Sequence, residues 1–260
     1  MCLIFISLNN HPTYKLIVAA NRDEFYNRQT APAKYWEDHA DILGGRDLEA
    51  MGTWMAMTKT GKIAMVTNYR DPSHINPKAP SRGKLVSDYL IQRVSPEGYL
   101  MALEPRGKEY NGFNLVVGDQ DELFYYSNYG EGVRRIENGF HGLSNHLLDT
   151  PWPKVTRVKK KFESLLTAAQ VQPEVLLEAL YDEQRAPTTD LPDTGVGPEW
   201  EQALSSMFIK VGNYGTRCST VVLLDKENEV IYSERVYNTV DFSSRTNTFQ
   251  FRIEAAKLAR

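Results

Sequence analysis

The chain has 260 residues, 42% hydrophobic and 24% charged, a length and apolar content that can bury a large core. Its 30 basic and 33 acidic residues leave a net charge of −3, which excludes the basic footprint of a nucleic-acid-binding protein. Two cysteines, Cys2 and Cys218, form neither a disulfide framework nor a zinc-ligand cluster, and no run approaches the ~20 apolar residues of a membrane span, so a cytoplasmic, metal-free protein is expected.

Residues 3–8 and 15–20, rich in Ile and Val, predict a first hairpin turning around Asn10-His11-Pro12. Removal of Met1 would leave Cys2 at its head, carrying a thiol and a free amine. A thiol of pKa ~8.5 is mostly protonated at pH 7, whereas an α-amine of ~7.7–8.0 lies closer to that pH and within reach of the proton. The second strand of the hairpin delivers Arg22, which favours a thiolate, and Asp23, which can hold an ammonium. The polar stretch from Asn21 to Arg28 is expected as a loop or a site.

Residues 31–49 read as loop, with Pro32 and Gly44-Gly45, and residues 52–58 and 62–68 as a second hairpin that ends in Asn68-Tyr69-Arg70-Asp71. Three prolines between Pro72 and Pro80 mark an irregular segment. Apolar spacing predicts a helix over about 83–94 and a shorter one over 96–103, then strands at 113–117 and 122–126. A strand ending in Ser144-Asn145-His146 precedes helices at about 153–169 and 173–181. Lys159-Lys160-Lys161 reads as the solvated face of the first of these. The acidic, proline-bearing stretch from Asp182 to Pro198 suggests a mobile loop or lid. Strands at 215–224 and 229–232 and an alternating edge strand at 247–253 close the chain. Roughly ten strands in hairpins and four helices predict an α+β protein with helices covering antiparallel sheets.

Asn21-Arg22-Asp23-Glu24, Gly44-Gly45-Arg46-Asp47, Gly52-Thr53-Trp54, Thr67-Asn68-Tyr69-Arg70, Tyr110-Asn111-Gly112-Phe113-Asn114, Gly142-Leu143-Ser144-Asn145 and Tyr214-Gly215-Thr216-Arg217, in that order, resemble the NRDE family, whose eukaryotic members are the transport and Golgi organisation 2 proteins. The resemblance spans essentially the whole chain. It implies one domain over residues 1–260, a four-layer αββα sandwich similar to the N-terminal-nucleophile hydrolases of the choloylglycine hydrolase and penicillin V acylase branch. Carried over by motif, it implies catalytic roles for Cys2, Arg22, Asp23, Asn68, Asn145 and Arg217, acting on an amide C–N bond or a thioester of a small or acyl substrate. Arg and Asp are adjacent here and separated in those hydrolases, so both can take the hydrolase positions only with a local bulge or shift.

The resemblance also implies a non-catalytic alternative, a protein of intracellular haem trafficking with haem as its ligand. No Cys-x-x-Cys-His attachment motif is present, and among the five histidines His141 and His146, beside Asn145, are the first to test as ligands. Enzyme or binding protein is left open by the sequence.

Overall fold

The computed structural model describes residues 2–254; Met1 and the side chain of Cys2 lie outside the described residues. Period-two alternation in the first hairpin sets the layering. In β1 (Cys2–Leu8), Ile4, Ile6 and Leu8 join a cluster between two sheets, whereas Leu3 and Phe5 join a cluster under helices. In β2 (Tyr14–Phe25), Leu16, Val18 and Ala20 lie between the sheets while Ile17 and Ala19 lie under the helices. Both faces are buried, which is why the sequence shows continuous apolar runs there.

The chain then crosses to a second sheet and builds it strand by strand. β3 (Thr30–Tyr35), β4 (Ile42–Asp47), β5 (Met55–Thr58) and β6 (Ile63–Asn68) precede two helices, α1 (Gly83–Ile91) and α2 (Pro96–Leu103). After them β7 (Phe113–Gly118), β8 (Leu123–Ser127) and the short β9 (Arg134–Arg135) finish an antiparallel sheet in simple sequence order. β10 (Gly139–Leu143) returns to the first sheet beside β1, and α3 (Pro153–Leu165), α4 (Pro173–Leu180) and the short α5 (Pro198–Ala203) follow. β11 (Lys210–Val211), β12 (Tyr214–Asp225), β13 (Glu229–Tyr237) and β14 (Ser244–Arg252) complete that sheet, whose order is β10-β1-β2-β12-β13-β14 with β11 paired to β12.

The helices seal the outer faces. Leu85, Val86, Tyr89 and Leu100 of α1 and α2 pack on Ala56, Ala64, Leu115 and Phe124 of the second sheet. Val155, Val158 and Phe162 of α3, with Leu176 and Leu177 of α4, pack on Leu3, Phe5, Ile17 and Val221 of the first. The result is the αββα sandwich. Ser95 starts α2 by accepting the Gly98 N–H, with Pro96 in the first turn, and Pro153 and Pro173 stand in the first turn of α3 and α4, which have no side-chain cap. Among the described residues no helix is long and apolar enough to cross a membrane.

The structure departs from the sequence expectation at several strands and helix ends. Residues expected as loop between 31 and 49 form β3 and β4; Pro32 and Gly44-Gly45 disguise them. Gly44 and Gly45 are required by close packing, because a Cβ would lie 2.5 Å from the Ala56 Cβ at the first and 2.2 Å from the Trp54 ring at the second. The stretch from Asn21 to Phe25, expected as a loop or a site, continues β2 because β12 pairs with it back to Tyr214. α1 and α3 stop at Ile91 and Leu165, short of the apolar periodicity, and the six-residue α5 carries too little pattern to announce itself.

Gly44→Val should cost roughly 1–3 kcal/mol by overpacking β4 against β5, read as a lower urea midpoint at unchanged m-value.

Candidate functional site

A cavity of about 730 Å³ opens at the end of β2, within the ~300–1,000 Å³ usual for small-molecule sites. Arg22, Asp23 and Glu24 line it from the first sheet, Trp54 from just before β5, Asn68 from the end of β6, and Arg70 from the segment after it. Phe25, Ile75 and Trp200, all substantially exposed, also line it and make its outer part apolar.

Alternation along β2 sends successive polar side chains to opposite faces. Asn21 belongs to the helix side, where its Nδ2 donates to the carbonyl oxygens of Leu180 (3.1 Å) and Met207 (2.8 Å) while its Oδ1 accepts from Ser219 Oγ. Arg22 turns to the inter-sheet side and is 6% exposed. Its guanidinium lies 4.1 Å from the Trp54 ring centroid and its Nη2 is 3.6 Å from Glu24 Oε2, but its buried Nη1 has no hydrogen-bond partner among the described residues. In the ladder Arg22 stands between Cys2 of β1 and Cys218 of β12.

Asp23 returns to the outer side and is 2% exposed. Thr216 Oγ1 donates to its Oδ1 at 2.7 Å. Burial pushes the carboxyl above the usual carboxylate range, against the opposing pull of Lys154, the Thr216 hydroxyl and Arg22.

A bulge lies on the partner strand β12, opposite Arg22 and Asp23, and leaves the spacing of those two on β2 unchanged. Thr216 pairs with Asp23 and Cys218 with Arg22, leaving Arg217 as the extra residue. Arg217 is not a cavity-lining residue: its Nη1 donates to the carbonyl oxygens of Phe25 (2.9 Å), Tyr26 (3.2 Å) and Arg28 (3.0 Å), clamping the turn after β2.

The two asparagines also separate. Asn68, half-buried at the end of β6, lines the cavity, whereas Asn145 is fully buried behind it. Asn145 Nδ2 donates to the Asn68 carbonyl at 3.0 Å, its Oδ1 accepts from Ser144 Oγ at 3.2 Å, and its own carbonyl accepts the Arg70 N–H at 2.8 Å. Asn145 thereby fixes the backbone of the cavity wall. His141 sits elsewhere, with Nδ1 2.7 Å from Asp149 and Nε2 2.8 Å from the Glu137 carbonyl, and its pKa is raised chiefly by the hydrogen bond to Asp149. His146 bonds Thr150 Oγ1 at 2.8 Å and packs between Tyr69 and Trp152; neither histidine lines the cavity.

Four buried ionisable residues escaped the choice of site residues from the sequence: Arg70, Glu201, Lys154 and Glu234. Arg70, 8% exposed, pairs through Nη1 with Glu201 Oε2 at 2.5 Å and lies 4.9 Å from the Trp152 ring centroid. Glu201 also accepts from the Thr194 N–H (2.8 Å) and hydroxyl (2.5 Å), so the segment expected as a lid is anchored to the cavity wall, with Val196 and Trp200 lining it. Arg70 stood within a quoted motif and its position after a strand end was the available signal. Lys154, 2% exposed, was hidden by its place among the polar residues of a solvent-facing helix. Glu234, fully buried in β13, accepts the Ala33 N–H at 2.6 Å, and burial raises its pKa to about 7 despite favourable contacts with the Ala33 N–H and the Cys218 thiol.

Asn145→Ala should cost about 1–3 kcal/mol in thermal unfolding, because partners that it pairs are left buried, while Asn68→Ala should leave the midpoint nearly unchanged. The raised pKa of Glu234 means that the native chain binds an extra proton between the unfolded and folded titrations. Stability should therefore fall as pH rises from 5 to 7, and Glu234→Gln should flatten that slope in thermal melts.

The family model described as Transport and Golgi organisation 2 matches residues 1–239. The chain is 35% identical to the Transport and Golgi organization 2 homolog of Mus musculus, over 98% of this chain and 100% of that protein, and likewise to the human homolog. The Drosophila melanogaster protein is 30% identical, over 93% and 94% respectively. Among solved structures, a Caenorhabditis elegans N-acylethanolamine-hydrolyzing acid amidase ortholog aligns with a TM-score of 0.51 at 10% identity, over 85% of this chain and 92% of that one. The C2A mutant of conjugated bile acid hydrolase from Clostridium perfringens aligns with a TM-score of 0.50 at 10% identity, over 98% of both chains. The likeness establishes a fold similar to the N-terminal-nucleophile hydrolases.

Proposed function

We propose that this chain, which belongs to the Transport and Golgi organisation 2 family, is an N-terminal-cysteine hydrolase or acyltransferase that opens an amide C–N bond, or a thioester, of a small acyl substrate. The observation that carries this reading is the buried Arg22 Nη1, without a hydrogen-bond partner among the described residues, on a residue that lines the cavity and stands in register with Cys2. An unpaired guanidinium donor in a buried site is costly unless negative charge arrives there during the reaction. A thiolate at Cys2 would supply that charge.

After loss of Met1, the Cys2 amine takes the thiol proton and the sulfur attacks the substrate carbonyl, forming a C–S bond and an oxyanion. Collapse of this adduct breaks the C–N bond, and the ammonium returns its proton to the departing amine. Water or another acceptor then attacks the thioester carbonyl and gives its proton to the amine; collapse breaks the C–S bond, the Cys2 sulfur takes that proton back, and the acyl product leaves. Asn68 is the side chain on the cavity wall suited to donate to the oxyanion. Asp23 orients the ammonium, while Asn145 and Arg217 hold the surrounding backbone. The apolar outer part of the cavity suits an acyl group, and the fold neighbours bear the names of an amidase and a hydrolase.

Intact mass of protein from its native host, before and after a short chloroacetamide exposure, should show loss of Met1 and one label confined to Cys2. Arg22→Met should slow that labelling by about 10-fold, the effect of one pKa unit on the thiolate. Retention of Met1, or a Cys2 that labels no faster than Cys218, would overturn the nucleophilic reading.

A further inference from the structure

Arg22 is 6% exposed, yet the contacts that orient its guanidinium leave hydrogen-bond donors unused. The carboxylate within ion-pair distance among the described residues is Glu24, whose Oε2 stands 3.6 Å from Nη2, beyond hydrogen-bond reach, and is shared with Arg28 at 3.8 Å. Nη1 is buried with no hydrogen-bond partner among the described residues. What fixes the group is the Trp54 ring, whose centroid lies 4.1 Å from Cζ. A guanidinium stacked on an aromatic face keeps its five N–H donors in its own plane, so the contact sets that plane and consumes none of them. The ring is itself held. It lies over Gly45 of β4, where a Cβ would come within 2.2 Å of it. The backbone beside it is pinned, since Thr53 Oγ1 donates to the Gly45 carbonyl at 2.7 Å and the Trp54 carbonyl accepts the Val66 N–H at 2.9 Å. The indole Nε1–H is buried without a hydrogen-bond partner among the described residues, so what Trp54 contributes is its face. Three stretches far apart in the sequence, at Arg22, Gly45 and Trp54, thus meet in one stack that reaches from the second sheet to the first.

We infer that Trp54 is a positioning residue of this site: its ring, seated on Gly45, holds the Arg22 guanidinium in the plane that keeps Nη1 free for negative charge at Cys2, the neighbour of Arg22 in the ladder. The inference rests on the nucleophilic reading for the charge that Nη1 meets. Besides Glu24, the charged groups around this guanidinium are Asp23 on its own strand, Arg217 on β12 and Glu234 on β13. Without the ring the arginine keeps its charge but gains rotamers, and its donors spread over several orientations. Loss of Trp54 therefore costs a fraction of what loss of Arg22 costs.

The test is the pH profile of chloroacetamide labelling at Cys2, followed by intact mass on the full chain produced in its native host. Trp54→Leu should raise the midpoint of that profile by about half a unit and slow labelling about threefold at pH 7, the worth of a partly desolvated cation–π contact. Trp54→Phe, which keeps a ring face, should retain most of the wild-type rate. Gly45→Ala, whose added methyl group displaces the ring, should slow labelling as Trp54→Leu does. In an Arg22→Met chain Trp54→Leu should slow labelling no further, because the group that it positions is gone. Equal slowing with and without Arg22 would make Trp54 a packing residue and overturn the inference. Trp54→Met takes the place of the leucine variant, with the same expectations, if that variant does not fold. Rapid wild-type labelling that neither Trp54→Leu nor Gly45→Ala changes overturns the positioning role and leaves the nucleophilic reading standing. A wild-type Cys2 that labels no faster than Cys218 overturns both.

Discussion

The constraint on which this structure depends is the burial of β2 on both faces. The strand pairs with β1 on one side and β12 on the other, with the second sheet against one face and α3 and α4 over the opposite one. Its apolar half therefore contributes to two cores at once. Its buried polar side chains cannot escape to solvent, so each must find chemistry suited to its face: Asn21 two carbonyls, Arg22 an aromatic ring, Asp23 the Thr216 hydroxyl. Three adjacent polar residues on one strand are thus held by different partners, and two of them, Arg22 and Asp23, line the cavity.

The end of the sandwich near the cavity is secured by hydrogen bonds as well as by apolar packing. Thr67 Oγ1 donates to the Ser144 carbonyl at 2.6 Å, Asn114 Nδ2 donates to Thr67 Oγ1 at 3.1 Å and to the His146 carbonyl at 3.0 Å, and Tyr125 donates to Asn114 Oδ1 at 2.7 Å. These bonds join strands of the second sheet to the segment that leaves β10 in the first. Fully satisfied buried networks of this kind fix one arrangement, since any slip leaves several groups unpaired. Asn145 extends the network to the wall on which Asn68 and Arg70 stand, so the wall is rigid through backbone contacts made behind it.

Much of this was legible before any coordinate was known. Runs such as Leu3–Ile6 and Val221–Leu224, with hairpin turns between, announced antiparallel sheets, and the apolar spacing of Leu85, Val86 and Tyr89 announced a helix covering one of them. Gly44-Gly45 misled, because close approach of neighbouring strands demands the same residues as a flexible turn. In the site, Arg22, Asp23 and Asn68 could be chosen as polar residues at strand ends, and all three line the cavity. Asn145 and Arg217 satisfied the same local rule and serve its scaffold, a distinction that depends on which way a side chain turns after a bulge. Lys154 and Glu234 were invisible because burial of a charged residue is decided by contacts far away in the sequence, which no local pattern encodes.

The ladder that aligns Cys2, Arg22 and Cys218 in one row also governs oxidation of the chain. Cys2 and Cys218 stand on strands separated by β2, so their Cα atoms are about 9–10 Å apart, two interstrand spacings, beyond the ~4.4–6.8 Å that a disulfide spans. The only two thiols of the molecule are thus kept from closing on each other by the arginine strand between them. Within the intact sheet neither thiol therefore has the other as an internal resolving partner.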